Sequence, residues 1–196
     1  MALLELQNLQ KHFGKTQVLR DLSLQVEEGQ FVTLLGPSGC GKTTTLRIVA
    51  GLTDPDGGDV LLEGRSMLRL PPEKRELNTV FQNYALFPHM NVERNVAYAL
   101  RLMGMPARQR EARVAEMLKL VQMEGYEKRM PDKLSGGQRQ RIAIARAVAP
   151  GRKLLLLDEP LGALDLKLRR QMQEEIKGMQ KELGIAFLYI THDQEE

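Results

Sequence analysis

The chain has 196 residues, and its 28 Lys and Arg against 25 Asp and Glu leave a net charge of only +3. This length can bury a full core without disulfides or metals, and the single cysteine, Cys40, excludes a disulfide framework. The longest apolar runs, such as 154–157, are far shorter than the roughly 20 residues that cross a bilayer. Because the basic residues form no stripe, we expect solvated faces and no nucleic-acid partner.

The first half of the chain has the pattern of strands. Leu4 and Leu6 lie two residues apart, which is the spacing of a strand with one buried face. A short apolar run at 31–35 instead predicts a fully buried strand of a parallel sheet. The predicted elements of this half are strands at 4–6, 22–26, 31–35, 60–62 and 79–81, and a helix at 42–50.

The second half is mainly helical. Asn91 is expected to cap a helix, Pro106 suits the first turn of the next one, and Ser135 opens a third. Asp165 is expected to cap a long helix between two further buried strands, at 154–157 and 185–190. The apolar face of the first of these helices is predicted to carry Val92, Val96, Leu100 and Met103.

This order of elements predicts an α/β fold. Antiparallel strands come first and form a small N-terminal β subdomain, and strand–helix–strand units then build a mainly parallel core sheet. A helical subdomain is expected as an insertion at about 84–150.

A glycine-rich loop follows the strand at 31–35 and precedes a helix. It matches the pattern G-x-x-x-x-G-K-[ST] in full, and a chance match in this context is improbable. Glycine lets the backbone wrap around phosphates, and the helix N-terminus supplies N–H groups for anions. Lys42 would reach the β- and γ-phosphates, and Thr43 would ligate Mg²⁺. Cys40 is interpreted as a small filler residue rather than a reactive thiol.

Two carboxylates end the apolar run 154–157. The strand would deliver Asp158 to the sheet edge beside the phosphate loop, where it can hold Mg²⁺ directly or through water. Glu159 would then face the γ-phosphate and polarise the attacking water. Alone this pattern is weak, since many strands end in acids, but together with the phosphate loop it is strong.

The segment Leu134–Gln138 (LSGGQ) places two glycines in the first turn of a helix. Each glycine costs a helix about 1 kcal/mol relative to alanine, so stability alone does not explain them. A helix start with a serine hydroxyl and bare amides is a second phosphate-binding surface. Because one subunit seldom needs two γ-phosphate sites, this one is interpreted as serving a partner's nucleotide rather than as a simple helix start.

These motifs together resemble the ATP-binding subunit of ABC transporters over essentially the whole chain. The resemblance implies the P-loop NTPase fold of an ABC nucleotide-binding domain, ATP hydrolysis, and ATP and Mg²⁺ as cofactors. It also implies a homodimer in which each ATP lies between one copy's phosphate loop and the other copy's Ser135–Gln138. The residues expected at the nucleotide are Phe13, Gly36, Pro37, Ser38, Gly39, Cys40, Gly41, Lys42, Thr43 and Thr44 from one copy, and Ser135, Gly136, Gly137, Gln138 and Asp165 from the other.

Four further positions follow the family pattern. The resemblance implies that Phe13 stacks on adenine, although such a residue can also be a core residue at a strand end. Gln82 matches the loop glutamine that contacts Mg²⁺ or the water, and His192 matches the switch histidine near the γ-phosphate. Asp165 matches the loop that contacts the partner copy. The expected catalytic residues are thus Glu159, His192 and Gln82, and the expected metal ligands are Thr43, Gln82 and Asp158.

The segment 81–90 is unusually apolar for a loop, which indicates a contact with a partner. In this segment the chain resembles the importers among ABC transporters. The resemblance implies two transmembrane permease subunits as partners and a substrate-binding protein that acts indirectly. It also implies a peripheral position at the cytoplasmic face of the cell membrane. Residues 78–82 and 167–173 look most like those of the spermidine/putrescine importers. Sugar, sulfate or iron importers, and a soluble ABC ATPase of DNA repair or translation, are the alternatives.

The family continues beyond the position of Glu196 with further strands and helices. Polyamine-type members usually add a small β-barrel regulatory domain after them. We therefore expect a C-terminally truncated cassette without the regulatory domain.

Overall fold

The computed structural model describes residues 2–162 and 166–192. Strands dominate up to residue 80, helices dominate from 92 to 148, and both alternate afterwards. In chain order the elements are β1 (Ala2–Phe13), β2 (Thr16–Glu27), β3 (Phe31–Leu35), α1 (Lys42–Val49), β4 (Gly57–Leu62), β5 (Arg65–Ser66), β6 (Leu77–Val80), α2 (Val92–Leu102), α3 (Ala107–Leu120), α4 (Gly136–Val148), β7 (Leu154–Asp158), α5 (Leu166–Leu183) and β8 (Ala186–Thr191).

The first sheet is antiparallel and has the strand order β2-β1-β4-β5. Leu4 of β1 lies opposite Val26 of β2 and Leu62 of β4, so three apolar side chains meet on one face. Leu4 and Val26 are fully buried. The period-two spacing of leucines therefore produces the predicted antiparallel β region, and the strands extend further at both ends than the pattern indicated.

The second sheet has the order β3-β8-β7-β6, and β8 pairs in parallel with both β3 and β7. The prediction that 31–35 is fully buried is wrong, because β3 lies at the edge of the described sheet and none of its residues is buried. Every residue of β8, by contrast, is buried, as are 154–157 of β7. Burial on both faces explains why these strands read as continuous apolar runs rather than alternating ones. The register brings Asp158 beside Ile190, so the residues that follow β7 and β8 emerge at the same edge.

The chain divides into two compact units, and the first comprises residues 1–79, 153–159 and 180–196. Its core is formed by apolar side chains of the two sheets and of helix α1. Leu46, Ile48 and Val49 of this helix are fully buried. Arg75 ends this helix by donating from Nη1 to the carbonyl oxygens of Ile48, at 2.7 Å, and Val49, at 2.8 Å. These bonds satisfy carbonyls that have no partner within the helix. Burial lowers the pKa of Arg75.

The second unit comprises residues 80–152 and 160–179, and it contains α2, α3, α4 and most of α5. Asn91 caps α2 as predicted, since its side chain accepts from the N–H of Arg94 at 2.9 Å. Helix α2 ends at Leu102, so Met103 leaves the predicted apolar face and is 52% exposed. Pro106 lies just before α3 as its cap rather than within its first turn.

Part of the apolar segment 81–90 packs against other residues of the second unit. Tyr84 is buried, and the ring of Phe87 lies 4.5 Å from that of Tyr98 on α2. Internal packing thus accounts for part of the apolar character from which a partner contact was predicted. Pro88 and His89 remain exposed.

Helix α5 is the longest helix of the described chain, and its buried side chains follow helical spacing. Met172 and Ile176 are almost fully buried, while the residues between them are mostly polar. Within residues 2–162 and 166–192, no helix combines the length and the apolar character needed to cross a membrane.

Candidate functional site

The phosphate loop lies between β3 and α1 and depends on glycine for its shape. Gly39 and Gly41 have φ angles of +83° and +98°, in the left-handed region that favours glycine. A Cβ on Gly41 would lie 2.6 Å from Leu19 Cδ2, and one on Gly36 would lie 2.8 Å from Cys40 Sγ. Gly41 caps α1 without a side-chain hydrogen bond, so the N–H groups of the first turn are available to an anion.

Lys42 is nearly buried, and its ammonium group lies over the start of this loop. Its Nζ donates to the carbonyl oxygens of Gly36, at 2.5 Å, and Pro37, at 3.0 Å. Cys40 is exposed, with its Sγ 3.7 Å from Nζ. The structure therefore places the positive charge of Lys42 against the backbone at the start of the loop.

Thr43 and Asp158 are brought together by α1 and β7. The Thr43 hydroxyl donates a hydrogen bond to the Asp158 carboxylate. Burial raises the pKa of Asp158, and the neighbouring Glu159 carboxylate raises it further, while Arg47 and Thr43 act in the opposite direction. A carboxylate and a hydroxyl in contact are oxygen donors suited to Mg²⁺, which takes few protein ligands and keeps several waters. The residues present therefore fit this ion, although the described residues hold no cluster of three or more His, Cys, Asp or Glu side chains poised for a metal.

Glu159 and His192 meet at the edge of the parallel sheet. Their strands are neighbours, so His192 Nδ1 lies 3.2 Å from Glu159 Oε2. Glu159 has a φ angle of +46°, and its backbone N–H donates to the carbonyl of Ile190 at 3.0 Å. A glutamate in the left-handed region is strained, and such strain often marks a functional position. Two of the three predicted catalytic side chains therefore lie within 3.2 Å of each other.

Phe13 ends β1 and is 54% exposed, as expected of a side chain that offers a ring to a ligand. Its neighbours are held by Asp56, which sequence reasoning missed. Asp56 accepts from Lys11 Nζ at 2.8 Å and from the His12 backbone N–H at 2.6 Å. These bonds lower the pKa of Asp56 to about 2, and the bond from Lys11 contributes more than the bond from His12.

The segment Ser135–Gln138 starts α4 with a capping box. Gln138 N–H donates to Ser135 Oγ at 3.3 Å, and Ser135 N–H donates to Gln138 Oε1 at 2.9 Å. Gln138 Nε2 also donates to the hydroxyl of Tyr126, and this contact was not predicted from the sequence. A Cβ on Gly137 would meet Leu168 only at an ordinary 3.5 Å. The chain's own packing therefore does not require glycine at this position.

The remaining predicted residues are distributed as follows. Gln82 is exposed in the second unit, two residues after β6 ends at Val80. Ser38 is exposed and Thr44 is half-buried, both in the first unit. Asp165 lies outside the described residues.

Comparison with known proteins agrees with this geometry. The sequence profile of the family described as "ABC transporter" matches residues 19–162. The chain belongs to the ABC transporter family.

Particular relatives are proteins named "Spermidine/putrescine import ATP-binding protein PotA". That of Clostridium novyi is 57% identical over 194 residues, which are 99% of this chain and 56% of the relative. That of Rubrobacter xylanophilus is 58% identical over 191 residues, covering 97% of this chain and 51% of the relative. The chain spans about half the length of the curated relatives it matches.

Asp56→Asn is expected to lower the melting temperature at pH 7, because the ionised carboxylate holds Lys11 and His12. The folded-state pKa of Asp56, about 2, lies below its ordinary 3.8, so the stabilisation is present above pH 3.8 and lost as the pH falls toward 2. Melting curves at pH 7, 4 and 2.5 should show the difference from wild type narrowing. Asp132→Asn, at an exposed pair with Lys133, is the control; a difference for Asp56→Asn that is equal at all three pH values would contradict the assignment.

Proposed function

We propose that this chain is the ATP-binding and ATP-hydrolysing subunit of an ABC importer for polyamines. The observation that carries the proposal is the Glu159–His192 pair, which stands at the same sheet edge as the Asp158–Thr43 contact. A base with an orienting partner beside a phosphate loop is the arrangement that phosphoryl transfer to water requires.

Nucleotide binding is assigned to the first unit. The N–H groups of the loop 36–41 and the Lys42 ammonium would bind the phosphates, and Phe13 would stack on the base. Thr43 and Asp158 would hold Mg²⁺, which supplies charge neutralisation at the phosphates when it is bound.

Hydrolysis is assigned to Glu159 and His192. Glu159 would accept a hydrogen bond from the attacking water and orient it toward the γ-phosphorus. His192 contacts the Glu159 carboxylate and would limit its rotation. Such positioning supplies much of the rate because the protein forms no covalent bond to the phosphate.

The partners we propose are a second copy of the chain and two permease subunits. Ser135–Gln138 would contact the nucleotide of the second copy, together with Asp165. Ser135 is exposed, so the start of α4 is accessible to a group from outside the chain. Gln82 and the exposed part of 81–90 would contact the permease at the cytoplasmic face of the membrane, and a substrate-binding protein would act through the permease.

The polyamine cargo rests on the names of the relatives. No residue described here has a role in contacting the cargo, so sugar, sulfate and iron importers are the alternatives of the same class.

Glu159→Gln is expected to slow ATP turnover by at least about 100-fold while nucleotide binding is kept, since the amide cannot act as a base.

Lys42→Ala is expected to weaken nucleotide binding and turnover together, since it removes the loop's charge. Steady-state phosphate release and equilibrium binding of ATP measure both effects. Glu124→Gln, at an exposed position, is the control. Turnover at the wild-type rate in Glu159→Gln would refute the base assignment.

Gly137→Ala is expected to stabilise the isolated chain by up to about 1 kcal/mol, because alanine favours the helix and its Cβ meets only ordinary contacts. The same change is expected to lower ATP turnover, because the proposal gives the flexible backbone of this turn a role at the partner's nucleotide, although the added Cβ itself faces Leu168 of the same chain. Gly178→Ala in α5, where a Cβ meets open space, is a matched control that should stabilise without loss of turnover. Urea unfolding and phosphate release measure the two properties; equal turnover in both variants would show that Gly137 has no role in trans.

The cargo is tested in vesicles that contain the chain with its permease and binding protein. Spermidine and putrescine are expected to stimulate ATP hydrolysis and to accumulate inside, whereas a sugar, sulfate and ferric iron should do neither. Stimulation by one of the other cargoes and not by polyamines would assign the subunit to that cargo.

A further inference from the structure

Arg146, near the end of α4, contacts the loop of residues 84–87, which follows Gln82. Its Nη1 donates to the carbonyl oxygen of Ala85 at 2.7 Å, and its Nη2 donates to that of Tyr84 at 3.0 Å. Its guanidinium carbon lies 5.3 Å from the centre of the Phe87 ring. One side chain thus contacts three of the four residues of loop 84–87.

Loop 84–87 has a backbone that needs such support. Tyr84 and Ala85 have φ angles of +61° and +45°, and two successive side-chain-bearing residues in the left-handed region are strained. Beyond Ala85 the loop is fixed by the buried Asn95, whose Oδ1 accepts from Phe87 N–H at 2.9 Å and whose Nδ2 donates to Met90 O at 2.9 Å. The loop is therefore pinned at both ends.

The contact requires an arginine. The planar guanidinium offers two parallel N–H groups to the two carbonyls and a flat face to the ring, which a lysine ammonium cannot reproduce. Among the described residues no carboxylate forms an ion pair with Arg146, and burial lowers its pKa. A half-buried cation that is held by neutral carbonyls and a ring loses part of its hydration, so this arrangement calls for a reason beyond stability.

Helix α4 joins this contact to Ser135. It runs without interruption from Gly136 to Val148, about 20 Å at 1.5 Å per residue, and begins at Ser135. Arg146 is therefore part of the same rigid element as the segment assigned to the partner's nucleotide.

We propose that Arg146 is a positioning residue that ties loop 84–87 to α4, so that a displacement of this loop moves Ser135–Gln138 with it. This proposal rests on the function proposed above, in which residues beside Gln82 contact the permease. A push on the loop then alters the distance of Ser135–Gln138 from the partner's nucleotide, without any change inside the phosphate loop.

The test compares Arg146→Lys and Arg146→Met with Arg113→Lys. Arg113 also donates to backbone carbonyls of the second unit, those of Val148 and Ala149, but not to loop 84–87, which makes it a matched control. Amide exchange of Tyr84, Phe87 and Met90, which are hydrogen-bonded in the wild type, is expected to accelerate about tenfold in both Arg146 variants and to stay unchanged in the control. Arg146→Met avoids burying a charge and keeps the test open if Arg146→Lys unfolds.

Kinetics separate positioning from a merely structural role. At a temperature where each variant is folded, kcat for ATP hydrolysis should fall about tenfold in the Arg146 variants, while KM changes less than twofold because the phosphate loop is intact. Combined with Gly137→Ala, the loss should be smaller than the product of the single losses, since Arg146 is proposed to act through α4 on the same first turn that contains Gly137.

Each outcome decides the proposal. Unchanged exchange in residues 84–90 shows that Arg146 does not hold the loop, and faster exchange with normal kcat shows that the loop is not connected to hydrolysis. Multiplicative losses in the double variant also overturn it. If the wild type hydrolyses no ATP, the proposed function fails, and the hold of Arg146 on the loop is judged by exchange alone.

Discussion

The parallel pairing of β7 and β8 is the constraint on which the candidate site depends. Hydrogen bonds between these two strands bring the residues after β7 and those after β8 to one edge, where Glu159 and His192 meet. Two groups that lie more than thirty positions apart in the chain become a contact of 3.2 Å without any loop having to hold them. Because both strands are buried on both faces, this juxtaposition is as rigid as the core itself.

Glycine has two different uses in this molecule. Gly41 is required by the chain's own packing, because its φ angle is +98° and a Cβ would lie 3.0 Å from the carbonyl oxygen of Val18. Gly137 has no such internal reason, and its helix would be more stable with alanine. The first kind shapes a cradle, whereas the second kind lies buried beside Leu168 at a place where a side chain would also fit. Sites that sacrifice local stability in this way are the ones where a function outside the chain's own fold is to be sought.

The elements and the site residues could largely be predicted from the sequence, because each lies in a contiguous pattern. The phosphate loop, the acids after β7 and the glycines of Ser135–Gln138 are read within a few residues of one another. The residues that support them could not be predicted. Asp56 acts on His12 from 44 positions away, and Arg146 acts on Ala85 from 61 positions away. Neither lies in a recognisable pattern, since an exposed aspartate and a helical arginine are common and only the tertiary fold gives them partners. Met103 was placed on a helix face because the spacing fits, but the helix ends one residue earlier.

The bonds of Lys42 have a consequence for selectivity. Its ammonium group donates to the carbonyls of Gly36 and Pro37, so an anion entering the loop competes with the loop's own oxygens. Neutral carbonyls are weaker acceptors than ionised oxygens, and the gain on exchange therefore grows with the charge that the anion brings. A singly charged ion such as chloride gains little, whereas a polyphosphate gains much. Under the proposed function, these two bonds of Lys42 would therefore favour a polyphosphate over a small anion in the loop.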